Sequence, residues 1–426
     1  MKHKHPKKPF RTKTGLGLAG ACLGIIVSGG ATAQAQTTDS DKITALEKQN
    51  QDLQQRLGAL EDMAKQQGIL PSGQAPKFVS SMADMTISGF VQESYFYNLN
   101  HPSGNLSDGY LWNTRDNEFS VNKVKLTFAG KPIDHDKWDA TYRLSLMAGE
   151  DAPILNSGSG NIGFDYLREA YVEMNAPIGT GLDIKAGELI SLLNYESGDG
   201  GAANENFSQG YQWYYTGNGP AAGVELGYTF TSWLTAKFRV DNGLYAGPVT
   251  SQSRKNVMAS FNFTPTSKTW FNLVGFGGEG AGSLSVDGGE VIGGVQLTSK
   301  LGTGFEFDFF HFDPDNASGG DTWSIGTWIW YDFSPKVGLA FRGEFLDDVN
   351  GMGINSRLGA PAPFGAGIFS PDQDGNLASF TMTLNLKPVP NIKIQPEFRY
   401  DTTSYTGGLN GSHNQFIIGC GASYLF

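Results

Sequence analysis

Residues 392–401 divide their side chains strictly in two. Ile392, Ile394, Pro396, Phe398 and Tyr400 alternate with Lys393, Gln395, Glu397, Arg399 and Asp401. An extended strand sends successive side chains to opposite faces, so this segment has one apolar face and one charged face. Leu234, Ala236, Phe238 and Val240 oppose Thr235, Lys237, Arg239 and Asp241 in the same way. So do Leu339, Phe341, Gly343 and Phe345 against Ala340, Arg342 and Glu344. A soluble sandwich and a transmembrane barrel both use such strands, and the two ends of the chain separate them.

In the final segment Phe416, Ile418, Cys420, Ala422, Tyr424 and Phe426 share one face, and small residues dominate the other. An apolar strand face ending on Tyr424 and Phe426 suits lipid and an interfacial aromatic girdle, and resembles the assembly signal of bacterial outer-membrane barrels. At the other end, Lys2, Lys4, Lys7, Lys8, Arg11 and Lys13 precede an apolar run from Gly15 to Val27, followed by Ala31-Thr32-Ala33-Gln34-Ala35. That pattern predicts a secretory signal over 1–35, cut after Ala33 or Ala35. The run is shorter than the roughly 20 residues a spanning helix needs. Cys22 lacks a branched residue at the first lipobox position, which argues against a lipoprotein.

Removing the six cations of the signal takes the formal charge from −11 to −17. A general nucleic-acid binder, which needs a basic face, is excluded. Of the 2 cysteines only Cys420 lies beyond the signal, so no intrachain disulfide is expected. Mean hydropathy is −0.28, yet aromatics reach 12% and glycines number 57. A transmembrane barrel reconciles these values, because only alternate residues meet lipid.

Residues 36–70 are expected to form a periplasmic coiled-coil helix. Ile43, Leu46, Asn50, Leu53, Leu57, Leu60 and Ala64 follow alternating steps of three and four, with Asn50 at an a position, where it fixes register. The rival is a solitary amphipathic helix on the barrel rim. Residues 71–84, with Pro71 and Pro76, read as a linker.

From Met85 to Phe426, short turn-rich connections alternate with long polar ones. The short ones are Lys131-Pro132, Pro177–Gly181, Thr229–Ser232, Thr264–Thr266, Lys300–Gly304, Ser334–Lys336 and Lys387–Asn391. The long ones include 100–116, 149–164, 194–217 and 346–376. Seven turns and eight loops predict an all-β transmembrane antiparallel barrel of about 16 strands, with the long loops outside. A charge on a lipid-facing strand face is costly, about 2–4 kcal/mol for a base at mid-bilayer, so the charged faces are assigned to the interior. Phe128, Trp138, Tyr228, Phe230, Trp233, Trp270, Tyr331 and Phe333 are read as a girdle beside the short turns. The alternation breaks at Val121–Val124 and along Trp323–Trp330, where bulges are expected.

Several blocks make this region resemble the OmpL-like β-barrel porin family. They are Asn117–Asn122, Ala170-Tyr171-Val172 leading into Ala176–Leu182 and Lys185-Ala186-Gly187, Leu193–Glu196, Asn206-Phe207-Ser208, Val240–Gly243, Arg342–Phe345 with Asp347-Asp348, and Pro396–Asp401. The resemblance implies an outer-membrane channel. It covers about 85–426 and leaves the helical segment outside. Where the family commonly has Arg after Asn-Phe-Ser, this chain has Gln209.

Candidate pore-lining residues are Arg143, Glu169, Glu173, Lys185, Lys237, Arg239, Glu306, Asp308, Arg342, Glu344, Lys393, Glu397 and Arg399. Their charges nearly cancel. The loops are acidic (among them Asp108, Glu150, Asp151, Glu196, Asp199, Asp313, Asp321 and Asp347), which predicts a weak cation preference. Tyr211, Trp213, Tyr214 and Tyr215 in the third long connection either constrict the pore or cap a strand within the girdle. Asp313–Asn316 and Asp372–Asn376 lack the ligand spacing and distal Glu of an EF-hand loop, so no metal site is expected, and no cofactor. His101, His135, His311 and His413 have no paired spacing and no nucleophile elbow occurs, which argues against an enzyme. The expected partners are outer-membrane lipid and lipopolysaccharide, small hydrophilic solutes or ions, and two further copies in a homotrimer, with no nucleic acid. The rival reading is a tethering barrel with a closed pore and a partner-binding coiled coil or loops.

Overall fold

The structure is a computed structural model that describes residues 48–58, 85–109, 112–156, 165–244, 253–280, 284–315, 318–349, 374–405 and 409–426. The chain divides into two compact units, Met1–Pro76 and Lys77–Phe426. In the first, residues 48–58 are helical and carry an Asp52–Arg56 ion pair of 3.0 Å. Asn50, Leu53 and Leu57 are exposed on this helix. The signal, the linker, and Ile43, Leu46 and Leu60 of the seam lie outside the described residues.

The second unit is a closed antiparallel barrel in which every strand pairs with its sequence neighbours and β1 closes on β16. Its sixteen strands are β1 Thr86–Asn98, β2 Glu118–Ala129, β3 Asp139–Ala148, β4 Leu167–Ala176, β5 Leu182–Leu189, β6 Ala221–Thr231, β7 Leu234–Asp241 and β8 Asn256–Thr266, then β9 Thr269–Glu279, β10 Leu284–Gln296, β11 Leu301–Pro314, β12 Gly320–Ser334, β13 Val337–Asp348, β14 Gly375–Leu386, β15 Ile392–Thr403 and β16 Asn414–Leu425. The expected number of strands is met. Turn edges move by a few residues, because strands such as β11 run on through Leu301–Gly304.

Period-two alternation decides which face turns inward. Along β15 the charged and amide residues are buried while the apolar set is only half-buried. Along β16 Phe416, Ile418, Tyr424 and Phe426 point out. The seam between first and last strands is closed by a reciprocal backbone pair, Gly89 N–H to the Phe426 carbonyl at 2.9 Å and Phe426 N–H to the Gly89 carbonyl at 3.0 Å.

The break at Val121–Val124 is a bulge. Glu93 pairs with Val121 and Gln92 with Lys123, so Asn122 is the extra residue. Both Asn122 and Lys123 are buried. No bulge occurs along Trp323–Trp330, where the register against β11 is continuous. Ser324, Gly326, Trp328 and Trp330 simply form the inner face. Trp270 leaves the proposed girdle too, because its ring stacks against Tyr195 inside the barrel.

Away from the long-loop rim, Glu93 is an outward charge among apolar neighbours. Glu93 on β1 is exposed between outward Val91 and Tyr95, beside Val121 and Ala422 of the flanking strands.

Candidate functional site

Loop 3, residues 190–220, is the longest connection whose whole course is described, and it folds into the barrel. It contains a 3-10 turn, Gly200–Ala202, and a short helix, Tyr211–Tyr215. A loop in a lumen must satisfy its backbone without strand partners. This one does so by donating to carboxylates that project from the wall. Asn194 N–H meets Glu290 Oε2 at 2.7 Å, and Tyr195 N–H meets Glu306 Oε2 at 2.9 Å. Phe207 N–H meets Glu397 Oε2 at 2.7 Å, and Gln212 N–H meets Glu344 Oε1 at 3.1 Å.

Cations grip the carbonyls and acids of the same loop. Arg342 donates to Glu196 Oε1 at 2.8 Å and to the Ser208 carbonyl, and its Nε lies 3.0 Å from Glu344. Arg399 donates to the Gln209 carbonyl at 2.9 Å, pairs with Asp401 at 2.7 Å, and lies 4.5 Å over the Tyr211 ring. Lys393 Nζ donates to the Asn204 carbonyl. From β2, separated from β15 around the wall by β16 and β1, Lys123 donates to Gln209 Oε1 at 2.9 Å, and Lys125 pairs with Asp199 at 2.8 Å. Gln209 is thus itself a bridge between β2 and β15. Tyr211, Tyr214 and Tyr215 are buried in the loop's packing and Trp213 is half-buried, so this segment does not cap a strand.

Asp308 accepts from Gln212 Nε2 at 3.0 Å, from Thr216 Oγ1 at 2.6 Å and from Ser324 Oγ at 2.6 Å. Glu290, Glu306 and Asp308 bring carboxylate oxygens within 4.8 Å of one another, all three side chains being buried. They are the group among the described residues able to share a cation.

All thirteen candidate pore-lining residues project inward, but they fall into two sets. Glu306, Asp308, Arg342, Glu344, Lys393, Glu397 and Arg399 lie under loop 3 and are buried. The others occupy the β3–β7 wall. There Arg143 pairs with Glu169, Lys237 with Glu225 at 3.2 Å, and Arg239 with Glu225 at 2.5 Å. Lys185 lies 3.8 Å from Glu173 and 4.6 Å over the Tyr171 ring. The side chains of Arg143, Lys185 and Lys237 keep 37%, 21% and 38% exposure, while Glu169 and Glu225 keep 4%.

The loop acids are largely engaged. Asp151 lies 3.6 Å from Lys123, Glu150 pairs with Arg115, Asp315 with Arg254, and Asp321 with His311. Asp313, Asp321 and Asp347 belong to strands and face outward near the long-loop rim, where Asp347 accepts from Trp323 Nε1 at 3.1 Å. Sequence reading missed Lys123, Lys125, Arg168, Asn194 and Gln212. Lys123 could have been found from the broken alternation around Asn122. The others carry no readable signal, since their partners lie in other segments of the chain: Asp199 for Lys125, Glu290 and Glu306 for Asn194, Glu344 and Asp308 for Gln212, and the Leu155 carbonyl for Arg168.

The family model "Putative beta-barrel porin-2, OmpL-like" matches residues 84–426. The chain belongs to this porin family. It is therefore an outer-membrane porin channel of a bacterium. No curated protein sequence matches the chain. Among solved structures it is similar to an OmpT loop L8 deletion mutant, an outer membrane protein of Vibrio cholerae, at 10% identity and a TM-score of 0.54, covering 80% of this chain and 99% of that one. An anion-selective porin from Comamonas acidovorans matches at 11% identity and 0.53, covering 80% and 99%. The outer membrane channel DcaP of Acinetobacter baumannii matches at 12% and 0.52, covering 80% and 97%. These likenesses carry the fold of the porin barrel and nothing finer.

Proposed function

We propose that this porin is a non-enzymatic, passive diffusion channel for small hydrophilic solutes and ions, narrowed by loop 3 and open along the β3–β9 wall. The supporting observation is the division of the interior. Loop 3 is pinned against β11–β16 and reaches β2, while Arg143, Lys185 and Lys237 remain accessible to water. Charge rings bias the ions that pass. The acidic loops argue for cations. Their carboxylates are largely paired, but so are the wall cations, and the solvent-reaching charges of the β3–β7 wall are mixed, with Glu173 at 20% and Asp183 at 29% exposure beside Arg143, Lys185 and Lys237. A weak cation preference, as expected from the acidic loops, remains the proposed selectivity.

Residues 1–35 are taken as the export signal, 36–70 as a periplasmic coiled coil and 71–84 as its linker, with Tyr424 and Phe426 as the assembly signal. A homotrimer is part of the proposal. Glu93 has no partner among the described residues, and a neighbouring copy over the β16–β1–β2 face would shield it from lipid. The outward Asp313, Asp321 and Asp347 suit divalent-bridged contact with lipopolysaccharide at the extracellular rim.

A second reading is favoured by one observation: Arg342, Arg399 and Lys123 have at most 1% side-chain exposure, as in a filled lumen. In that reading the pore is closed and the coiled coil or loops bind a partner. Planar-bilayer recording under a salt gradient separates the two. Stepwise conductance in triplets with a reversal potential displaced toward the cation supports the porin proposal. Absence of conductance from folded protein supports the closed barrel.

A further inference from the structure

On the inner wall near the short-turn rim, Trp270 of β9, Gly294 of β10, Gly304 of β11 and Trp328 of β12 form one cross-strand row. The glycines leave flat ground for rings. A Cβ at Gly294 would come within 2.7 Å of Trp270 Nε1, and one at Gly304 would meet the Tyr195 ring. Tyr195, whose backbone is held by Glu306, lies between the two indoles. Its ring is 6.0 Å from Trp270 at an interplanar angle of 8° and 4.5 Å from Trp328 at 28°. One pleat nearer the turns, Trp330 lies over Gly302 in the same manner.

Next to this row is a recess of about 490 Å³ lined by Trp270, Trp330, Asn262 and Gln296. That volume lies in the range of small-molecule sites. Gln296 is committed, its amide donating to the Thr298 carbonyl at 2.7 Å and to the Leu301 carbonyl at 3.2 Å, but other polar groups beside the recess are not. Asn262 and Asn272 pair across β8 and β9, both pointing inward, and neither side-chain amide has a partner among the described residues. The indole N–H groups of Trp270 and Trp330 likewise have none. By contrast Trp328 is already spent on Glu196, at 3.1 Å. Asn262, Asn272, Trp270 and Trp330 are half-buried and only the Asn272 Oδ1 atom is fully buried, so their free groups are open to water or to a ligand that displaces it.

We infer that this recess is a binding shelf for a neutral sugar ring. A pyranose presents a flat array of C–H groups to an aromatic face and a rim of hydroxyls to amides. The shelf offers both: indole faces backed by glycine, and two adjacent asparagines that donate and accept together. No carboxylate lines the recess, so an organic cation has no counter-charge there. The inference deepens the porin proposal and rests on it only for how the solute arrives.

The test uses the purified full chain and two readouts. Titration with cellotriose or maltotriose is followed by tryptophan fluorescence and, in a planar bilayer, by interruption of the ion current, with sorbitol as a ringless control. A saturable emission change and current block by the sugars, absent with sorbitol, are expected. In Trp270→Ala and in Asn262→Leu the half-saturating concentration should rise about tenfold, the equivalent of about 1.4 kcal/mol. Equal effects of sugar and sorbitol, or unaltered affinity in both variants, would overturn the shelf even in a conducting channel. A barrel that does not conduct refutes the porin proposal instead, and the fluorescence titration still decides whether the shelf binds.

Discussion

Arg342 shows how much of this interior hangs on single side chains. It has no exposure and holds Glu196, Glu344 and the Ser208 carbonyl together. Removing one partner of a buried ion pair leaves the others desolvated and uncompensated, at a cost of about 3–5 kcal/mol. Arg342→Met is expected to lower barrel stability by that amount in urea titrations in detergent and to raise unitary conductance as loop 3 loosens. Glu93 is the opposite case, a carboxylate with nothing to hold. If a neighbouring copy covers it, Glu93→Leu lowers the oligomer's dissociation temperature on native gels. A more heat-stable barrel with an unchanged oligomer would remove Glu93 from the interface. Asp108, in the long connection between β1 and β2 (loop 1), gives a pH dependence. Burial pushes its carboxyl up, against the lowering effect of the hydrogen bond from Asn410 N–H at 3.1 Å. A carboxyl raised on folding favours the folded loop below the unfolded value of about 3.9, and that contribution is lost as pH climbs through the folded value. The loop should therefore open more rarely at acid pH, measured as slower hydrogen exchange of its amides after correction for intrinsic rate, although the protonated carboxyl accepts more weakly from Asn410 N–H. Asp108→Asn should abolish the difference.

At the scale of elements, the strands were legible because each carries its own period. Lys393 to Asp401 name the inner face of β15 without help from any other segment. Asn122 and Lys123 were legible only as a disturbance, since two consecutive inward residues require the partner strand to reveal the bulge. Trp328 and Trp330 defeated the alternation argument for a different reason. Aromatic side chains suit a lipid-facing girdle and a lumen shelf equally, and only the β11–β12 register decides. Loop 3 was the least legible element. Its fold is dictated by carboxylates that lie one hundred or more residues away in sequence, such as Glu306 for Tyr195 and Glu397 for Phe207. The final strand yields a direct prediction. Deleting Phe426 removes both seam hydrogen bonds to Gly89, and refolding yield, read as the heat-modifiable band on gels, should fall sharply while the remaining register is unchanged.

At the scale of the whole molecule, the proposed coiled coil and the barrel can be tested apart. Deleting residues 41–70 should leave conductance per channel intact and weaken the association of protomers, whereas a tethering protein would lose its phenotype. The barrel by itself is a ring of identical bonds, and such a ring deforms easily into an oval because no bond need break. Loop 3 alters that mechanics. It is fastened at Lys123 and Lys125 on one side, at Asp308 and Ser324 on another, and at Arg342, Glu397 and Arg399 on a third. These anchorages occupy one contiguous half of the barrel, from β11 round to β2, and the loop's own root at β5 and β6 faces them across the lumen. Loop 3 is thus a strut. Squeezing the cylinder along the diameter that joins β5–β6 to β13–β15 strains hydrogen bonds to charged groups as well as the sheet, so the barrel resists bilayer lateral pressure more stiffly along that axis.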